Sequence, residues 1–216
     1  VESNAELIKK YASGKSFADI GCMWGVNGFF SFLAEECGAK RVVGVDIYPE
    51  SEEFLREKNK RNSTVEFVQG DIHLQETISK IGLCDVVFSS GVLYHSPNPP
   101  DTLFKLRLIC DQRLILCTEL IPEMPGIRNA AIFYPFLDES QRRIWNYRGK
   151  GKRTAITVPY EPEQGYANWF WGFSPSCVES MLELAGFKVE ERYIMPFMGY
   201  FVCRTTTAKF LPVSGD

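Results

Sequence analysis

The stretch that most constrains this chain is Phe17-Ala-Asp-Ile-Gly-Cys-Met-Trp-Gly-Val-Asn-Gly28. Phe17, Ala18 and Ile20 form a short apolar run of the kind a buried parallel strand shows, and the glycines behind it predict a tight turn into a helix. Gly21 and Gly25 give the turn backbone freedom and let a ligand come close to the chain. The helix is expected to begin around Gly25 to Asn27, with its unpaired N–H groups facing whatever the loop holds. Met23 stands where the dinucleotide fingerprint G-x-G-x-x-G has its second glycine, so a pyrophosphate could not approach as closely. A ligand without phosphates suits this loop better, and a plain strand-to-helix turn is the alternative.

Beyond the loop the pattern repeats. Helical spacing over residues 4–11 and 29–37 brackets the first strand, and the β-branched run 41–47 predicts a second. A helix over 51–59, a strand over 65–72, a helix over 74–81, a strand over 84–91, a helix over 101–110 and a strand over 113–120 follow. Five such units imply an α/β, doubly wound, Rossmann-like sheet with helices on both faces. From residue 121 to 173 the alternation breaks under Pro122, Pro125, Pro135, Pro159 and Pro162, so residues 1–216 read as one domain carrying an insertion, expected to be a lid. Ser174 as N-cap, Pro175 at N1 and Gly186 at the end then mark a helix. Strands over 187–195 and 199–205 close a seven-stranded, mostly parallel sheet with a hairpin expected at its edge.

The chain has 216 residues, 45% of them hydrophobic and 24% charged, with a net charge of −3. That composition carries no global basic field for nucleic acid or membrane, so an anionic partner must meet a local patch. The seven cysteines include no C-x-x-C pair, and His73 and His95 are the sole histidines, so no zinc-ligand spacing is present and no metal is expected. Reduced core thiols, the lack of an apolar leader and of any run of 18 apolar residues predict a cytoplasmic protein without a membrane segment.

Three acid or base positions stand at strand ends. Asp46 lies 25 residues beyond Gly21, where in a doubly wound sheet a carboxylate meets ribose hydroxyls, though it could equally cap the helix begun near Pro49. Asp71 follows the third strand and is either a ligand contact or a turn residue. His95, past the fourth strand, faces the same end of the sheet and serves as a base or as a positioning group. In the insertion, Arg142, Arg143, Arg148, Lys150, Lys152 and Arg153 crowd beside Trp145 and Tyr147, which suits an anionic acceptor or RNA, or simply a solvated loop.

The Asp19-x-Gly21-Cys22-x-x-Gly25 form resembles motif I of the class I S-adenosylmethionine-dependent methyltransferases, in which the loop wraps the cofactor's amino-acid tail. The resemblance covers nearly the whole chain. It implies S-adenosylmethionine as cofactor, with Asp19, Gly21, Cys22 and Gly25 in the loop, and Asp46 and Ile47 at the ribose. It places Asp71 and Ile72 at the adenine, the carboxylate reading the exocyclic amine and the backbone N–H a ring nitrogen, with Ser90 at the end of the fourth strand. Residues Asp85-Val-Val-Phe-Ser-Ser-Gly-Val-Leu-Tyr-His95, with Asn168-Trp-Phe-Trp and Ser174-Pro-Ser followed by a helix and Ala-Gly-Phe187, look like the group containing the bacterial tRNA wobble-uridine carboxymethyltransferases. In that group a lysine before the core helps hold a carboxylated donor; here about sixteen residues precede the first strand, so a plain methyl donor is expected. Tyr94 matches the family tyrosine near the transferred group.

Methyl transfer is an in-line displacement that asks the protein for alignment and exclusion of water, with a base for a hydroxyl or amine acceptor. His95 is the candidate base. Tyr94, Trp169, Phe170 and Trp171 are expected either to line the acceptor pocket, with Arg143 supplying charge, or to form lid core. The expected function is transfer of a methyl group to a hydroxyl or amine of a small-molecule acceptor. The alternatives are tRNA modification, with RNA held by the basic insertion, and cofactor binding without catalysis; no feature assigns an oligomeric state.

Overall fold

The computed structural model describes residues 3–144 and 158–208. Its strands are β1 (Ser16–Ile20), β2 (Arg41–Asp46), β3 (Glu66–Gln69), β4 (Cys84–Ser90), β5 (Cys110–Glu119), β6 (Ala131–Phe133), β7 (Trp171–Phe173), β8 (Phe187–Met195) and β9 (Met198–Thr205). The helices are α1 (Asn4–Tyr11), α2 (Phe29–Glu36), α3 (Glu52–Arg61), α4 (Gln75–Ile81), α5 (Pro99–Ile109), α6 (Glu139–Ile144) and α7 (Pro175–Ala185). The main sheet has seven strands in the order β3-β2-β1-β4-β5-β9-β8. β1 to β5 pair in parallel, and β9 runs antiparallel to both neighbours.

Side-chain alternation distributes each strand between two cores. On β1, Phe17 faces the cluster that holds Leu7, Phe32 and Phe54, whereas Ala18 and Ile20 face the one that holds Leu103, Leu106 and Leu182. On β5, Ile115 joins the first cluster while Leu114 and Leu116 join the second. Strands buried on both faces must be apolar at successive positions, which is why β1, β4 and β5 read as continuous runs.

The hairpin closes the sheet at its edge, as expected: β9 pairs with β5 and β8 lies outermost, because Gly199 to Cys203 are all buried while β8 alternates half-buried and exposed positions, with Lys188, Glu190 and Arg192 exposed. α5 starts earlier than expected, at Pro99, since Asn98 caps it through the Asp101 N–H and prolines occupy its first turn.

Within the insertion, β6 and β7 form a two-stranded antiparallel sheet. Two bonds tie this small sheet to the turn after β4: the Phe170 N–H donates to the Tyr94 carbonyl at 2.9 Å, and His95 Nδ1 lies 2.8 Å from the Asn168 carbonyl. Among the described residues, no helix is long and apolar enough to cross a membrane.

Candidate active site

Strand order reverses between β1 and β4, and a crevice opens there beyond the carboxyl ends of the strands. The loop after β1 walls it. The Gly21 and Cys22 N–H groups both donate to the Val45 carbonyl, which pins the loop to β2. Gly21 has φ +84°, and a Cβ there would stand 2.6 Å from Val92 Cγ2, so no larger residue fits. Gly25 has φ +75° and open space where a side chain would project. The helix begins later than the sequence suggests. Asn27 and Gly28 are both left-handed, and the Val26, Asn27 and Gly28 N–H groups donate back to Met23 and Cys22, so the loop uses these donors itself before α2 starts at Phe29.

The crevice holds a cavity of about 450 Å³, within the range of small-molecule sites. Gly21, Gly25, Asp46, Ile47, Asp71, Ile72, Ser90, Tyr94 and His95 all line it. Asp46 is buried yet well supplied with donors. Its Oδ2 accepts the Met23 N–H at 2.7 Å and its Oδ1 the Tyr48 N–H at 2.9 Å, and each oxygen keeps a lone pair for a hydroxyl in the cavity.

Asp71 is held from both sides. Its Oδ1 accepts the His73 N–H and sits 2.9 Å from His73 Nδ1, and its Oδ2 accepts the Tyr166 hydroxyl at 2.7 Å. Burial opposes its charge, but the His73 N–H and the Tyr166 hydroxyl outweigh that and hold the carboxyl below the usual range. Tyr166 belongs to the insertion and feels the opposite pull: burial and the facing carboxylate push its hydroxyl up to about 12.

At the other end of the cavity, His95 is 6% exposed. A carbonyl can only accept, so the Asn168 contact puts the ring proton on Nδ1 and leaves Nε2 as the basic nitrogen. Burial lowers the His95 pKa, partly offset by that bond, which favours the neutral imidazole a base requires. Tyr94 packs against the ring at 4.3 Å and Trp169 packs against Tyr94 at 4.4 Å; burial drives the Tyr94 phenol well above its ordinary value.

Other candidate residues lie off this wall. Asp19 is buried behind the loop, accepting the Ser31 hydroxyl at 2.6 Å, and Cys22 is buried with its sulfur against Gly44. Both support the loop from beneath. Trp171 donates its indole N–H to the Pro97 carbonyl and packs on Phe133, so it fastens the small sheet to the turn. Arg143 points to solvent from α6 in a pair with Glu139, while Trp145, Tyr147, Arg148, Lys150, Lys152 and Arg153 lie outside the described residues. Sequence reasoning missed Trp24, Tyr48, His73 and Tyr166, all on the cavity wall. Trp24 stood in plain view between the two loop glycines, and His73 two residues after Asp71 is the spacing of an Asx turn.

Residues 18–110 match a family model described as a methyltransferase domain. A tRNA U34 carboxymethyltransferase of Colwellia psychrerythraea is 32% identical over 139 residues, covering 62% of this chain and 40% of that protein. One from Campylobacter hominis is 29% identical over 189 residues, covering 78% of this chain and 63% of that protein. Over residues 18–110 the chain carries a methyltransferase domain. The chain also shares its fold with the 1,6-didemethyltoxoflavin-N1-methyltransferase of Burkholderia thailandensis, solved with bound 1,6-didemethyltoxoflavin and S-adenosylhomocysteine, at 15% identity and a TM-score of 0.62 over 95% of this chain and 80% of that one. Against the two tRNA-modifying relatives, the chain spans 40% and 63% of their length.

Proposed function

We propose that this methyltransferase binds S-adenosylmethionine in the 450 Å³ cavity and moves its methyl group to a hydroxyl or amine of a small-molecule acceptor, with His95 taking the proton. The observation that carries this reading is His95 itself, a buried imidazole on the cavity wall whose tautomer is set by the Asn168 carbonyl.

The wall fits the cofactor piece by piece. Gly25 leaves room for the amino-acid tail, Asp46 keeps lone pairs for the ribose hydroxyls, and Asp71 with Ile72 meets the adenine. When bound, the cofactor supplies a methyl carbon activated by a sulfonium. As the methyl carbon bonded to the acceptor and left its bonding pair on the sulfur, His95 Nε2 would take the acceptor's proton. Tyr94 offers a ring face to the positive charge, a contact of about 0.5 to 2 kcal/mol, and its raised pKa keeps the phenol neutral. Asp46 and Asp71 hold the ribose and the adenine so that the reacting atoms stay aligned.

Incubation with methyl-labelled S-adenosylmethionine and a pool of small metabolites tests this reading, with label expected on a small molecule and its transfer slowed by roughly 10²-fold in His95→Ala. A second reading, methylation of tRNA, draws support from the tRNA-modifying relatives and the cations of the insertion. Label on tRNA and none on metabolites would favour it.

A further inference from the structure

A second, smaller cavity of about 220 Å³ lies beside the first, walled by Trp24, Tyr134, Tyr160, Trp169, Asn168 and Arg142. Trp24 lines both cavities. Its ring meets His95 edge-on at 5.6 Å, and the Trp169 ring lies 5.9 Å from His95, so the imidazole, on the wall of the larger cavity, packs against two rings of the smaller one. Asn168, on the wall of the smaller cavity, links the two: its carbonyl holds His95, which lines the larger, while its side-chain amide donates to the Glu161 and Gly165 carbonyls.

Four rings, of Trp24, Tyr134, Tyr160 and Trp169, share the wall with Val158, Pro159, Ala167, two amides and one cation. Arg142, on α6, donates from Nη1 to the Leu137 carbonyl, while its buried Nε has no partner among the described residues. A guanidinium donor out of water and unpaired is unfavourable, and the group that satisfies it best is a carboxylate or phosphate. The surrounding ring faces favour a flat π-system, by stacking and edge-to-face contact. A volume of about 220 Å³ falls short of the 300 to 1,000 Å³ typical of drug-sized ligands, which limits the occupant to one or two rings.

We propose that this second cavity is the acceptor site, and that it takes a planar aromatic molecule of one or two rings carrying a carboxylate or phosphate, with the anion on Arg142 and the nucleophilic hydroxyl or amine turned toward His95. This rests on the larger cavity being the cofactor site. It gives Arg142, and not the exposed Arg143, the task of selecting the acceptor.

The test is calorimetric titration of the full chain with 4-hydroxybenzoate, 6-hydroxy-2-naphthoate and phenyl phosphate, each against its uncharged counterpart, phenol or 2-naphthol, in the presence of S-adenosylhomocysteine. At least one anionic probe is expected to bind tenfold or more tightly than its neutral counterpart. Arg142→Gln should abolish that preference, Arg142→Lys should keep part of it, and both should bind S-adenosylhomocysteine like the parent, which also shows that they fold. Equal affinity for charged and neutral probes, no binding of any probe, or a preference that survives Arg142→Gln would overturn the proposal. Binding of an anticodon stem-loop RNA through Arg142, with none of the small probes, would overturn it in favour of a nucleotide. Failure of S-adenosylhomocysteine to bind would instead remove the cofactor assignment beneath it.

Discussion

The Tyr166 hydroxyl, carried by the insertion, donates to Asp71 Oδ2 at 2.7 Å across 95 positions of sequence. Every neighbour that the structure gives the Asp71 carboxylate is a donor: the His73 N–H, the His73 ring and the Tyr166 hydroxyl. Asp71→Asn would turn an amide NH₂ toward one of them and remove the charge that the adenine amine is proposed to meet. Cofactor affinity is expected to fall by about tenfold or more, the loss of a charged acceptor being worth roughly 1.5 to 3 kcal/mol. Equilibrium binding of S-adenosylhomocysteine checks this, and an unchanged dissociation constant would detach Asp71 from the cofactor.

Asp46 has two tasks. It accepts the Met23 and Tyr48 N–H groups besides facing the cavity, so Asp46→Ala should weaken cofactor binding and also leave the Met23 N–H unpaired, a loss of about 1 to 3 kcal/mol in stability. Binding and thermal unfolding of the same variant separate the two effects. Weaker binding without a drop in melting temperature would mean that the loop does not lean on Asp46.

For His95, the working form is the neutral one, and burial lowers its pKa. Turnover should therefore be level through neutrality and decline as pH falls through a value below the ordinary 6.5 or so. His95→Ala is expected to lower turnover by roughly 10²-fold while leaving cofactor affinity nearly intact. His95→Gln keeps hydrogen-bonding capacity without basicity, so near-normal turnover in that variant would reduce His95 to a positioning residue.

Asp19 links the loop to pH. Burial, aided by the Asp46 charge and opposed by the Ser31 hydroxyl, raises its pKa to about 7, against about 3.9 in an unfolded chain. The folded state then holds a proton that the unfolded state has lost, so this contribution is full below about pH 3.9 and disappears as pH rises toward 7. Every tenfold difference in proton affinity between the folded and unfolded chain corresponds to about 1.4 kcal/mol. Asp19→Asn keeps an oxygen for Ser31 and should flatten the decline, gaining on the parent as pH rises from about 4 to about 8; parallel melting curves would contradict this.

The strand-by-strand pattern was readable because strands buried on both faces must be apolar, and the carboxyl-end acids and His95 follow from strand ends alone. The start of α2 was not, since two left-handed residues, Asn27 and Gly28, hold the chain in the turn until Phe29. Trp171 stayed open between pocket and lid core, because an aromatic run carries no sign of which ring faces the cavity and which packs on Phe133. Tyr166 and Arg142 gain their places through tertiary contacts of the insertion, and no local spacing encodes that. Asp46's second task, holding the Met23 N–H, likewise emerges only when two segments 23 residues apart meet.

Everything proposed for Asp46, Asp71 and His95 requires that the crevice at the β1/β4 reversal bind S-adenosylmethionine. Calorimetric titration of the chain with S-adenosylmethionine and S-adenosylhomocysteine tests it most directly. Saturable, one-to-one binding of both is expected, weakened at least tenfold in Asp46→Ala; no heat with either ligand, or equal binding by folded Asp46→Ala, would contradict it.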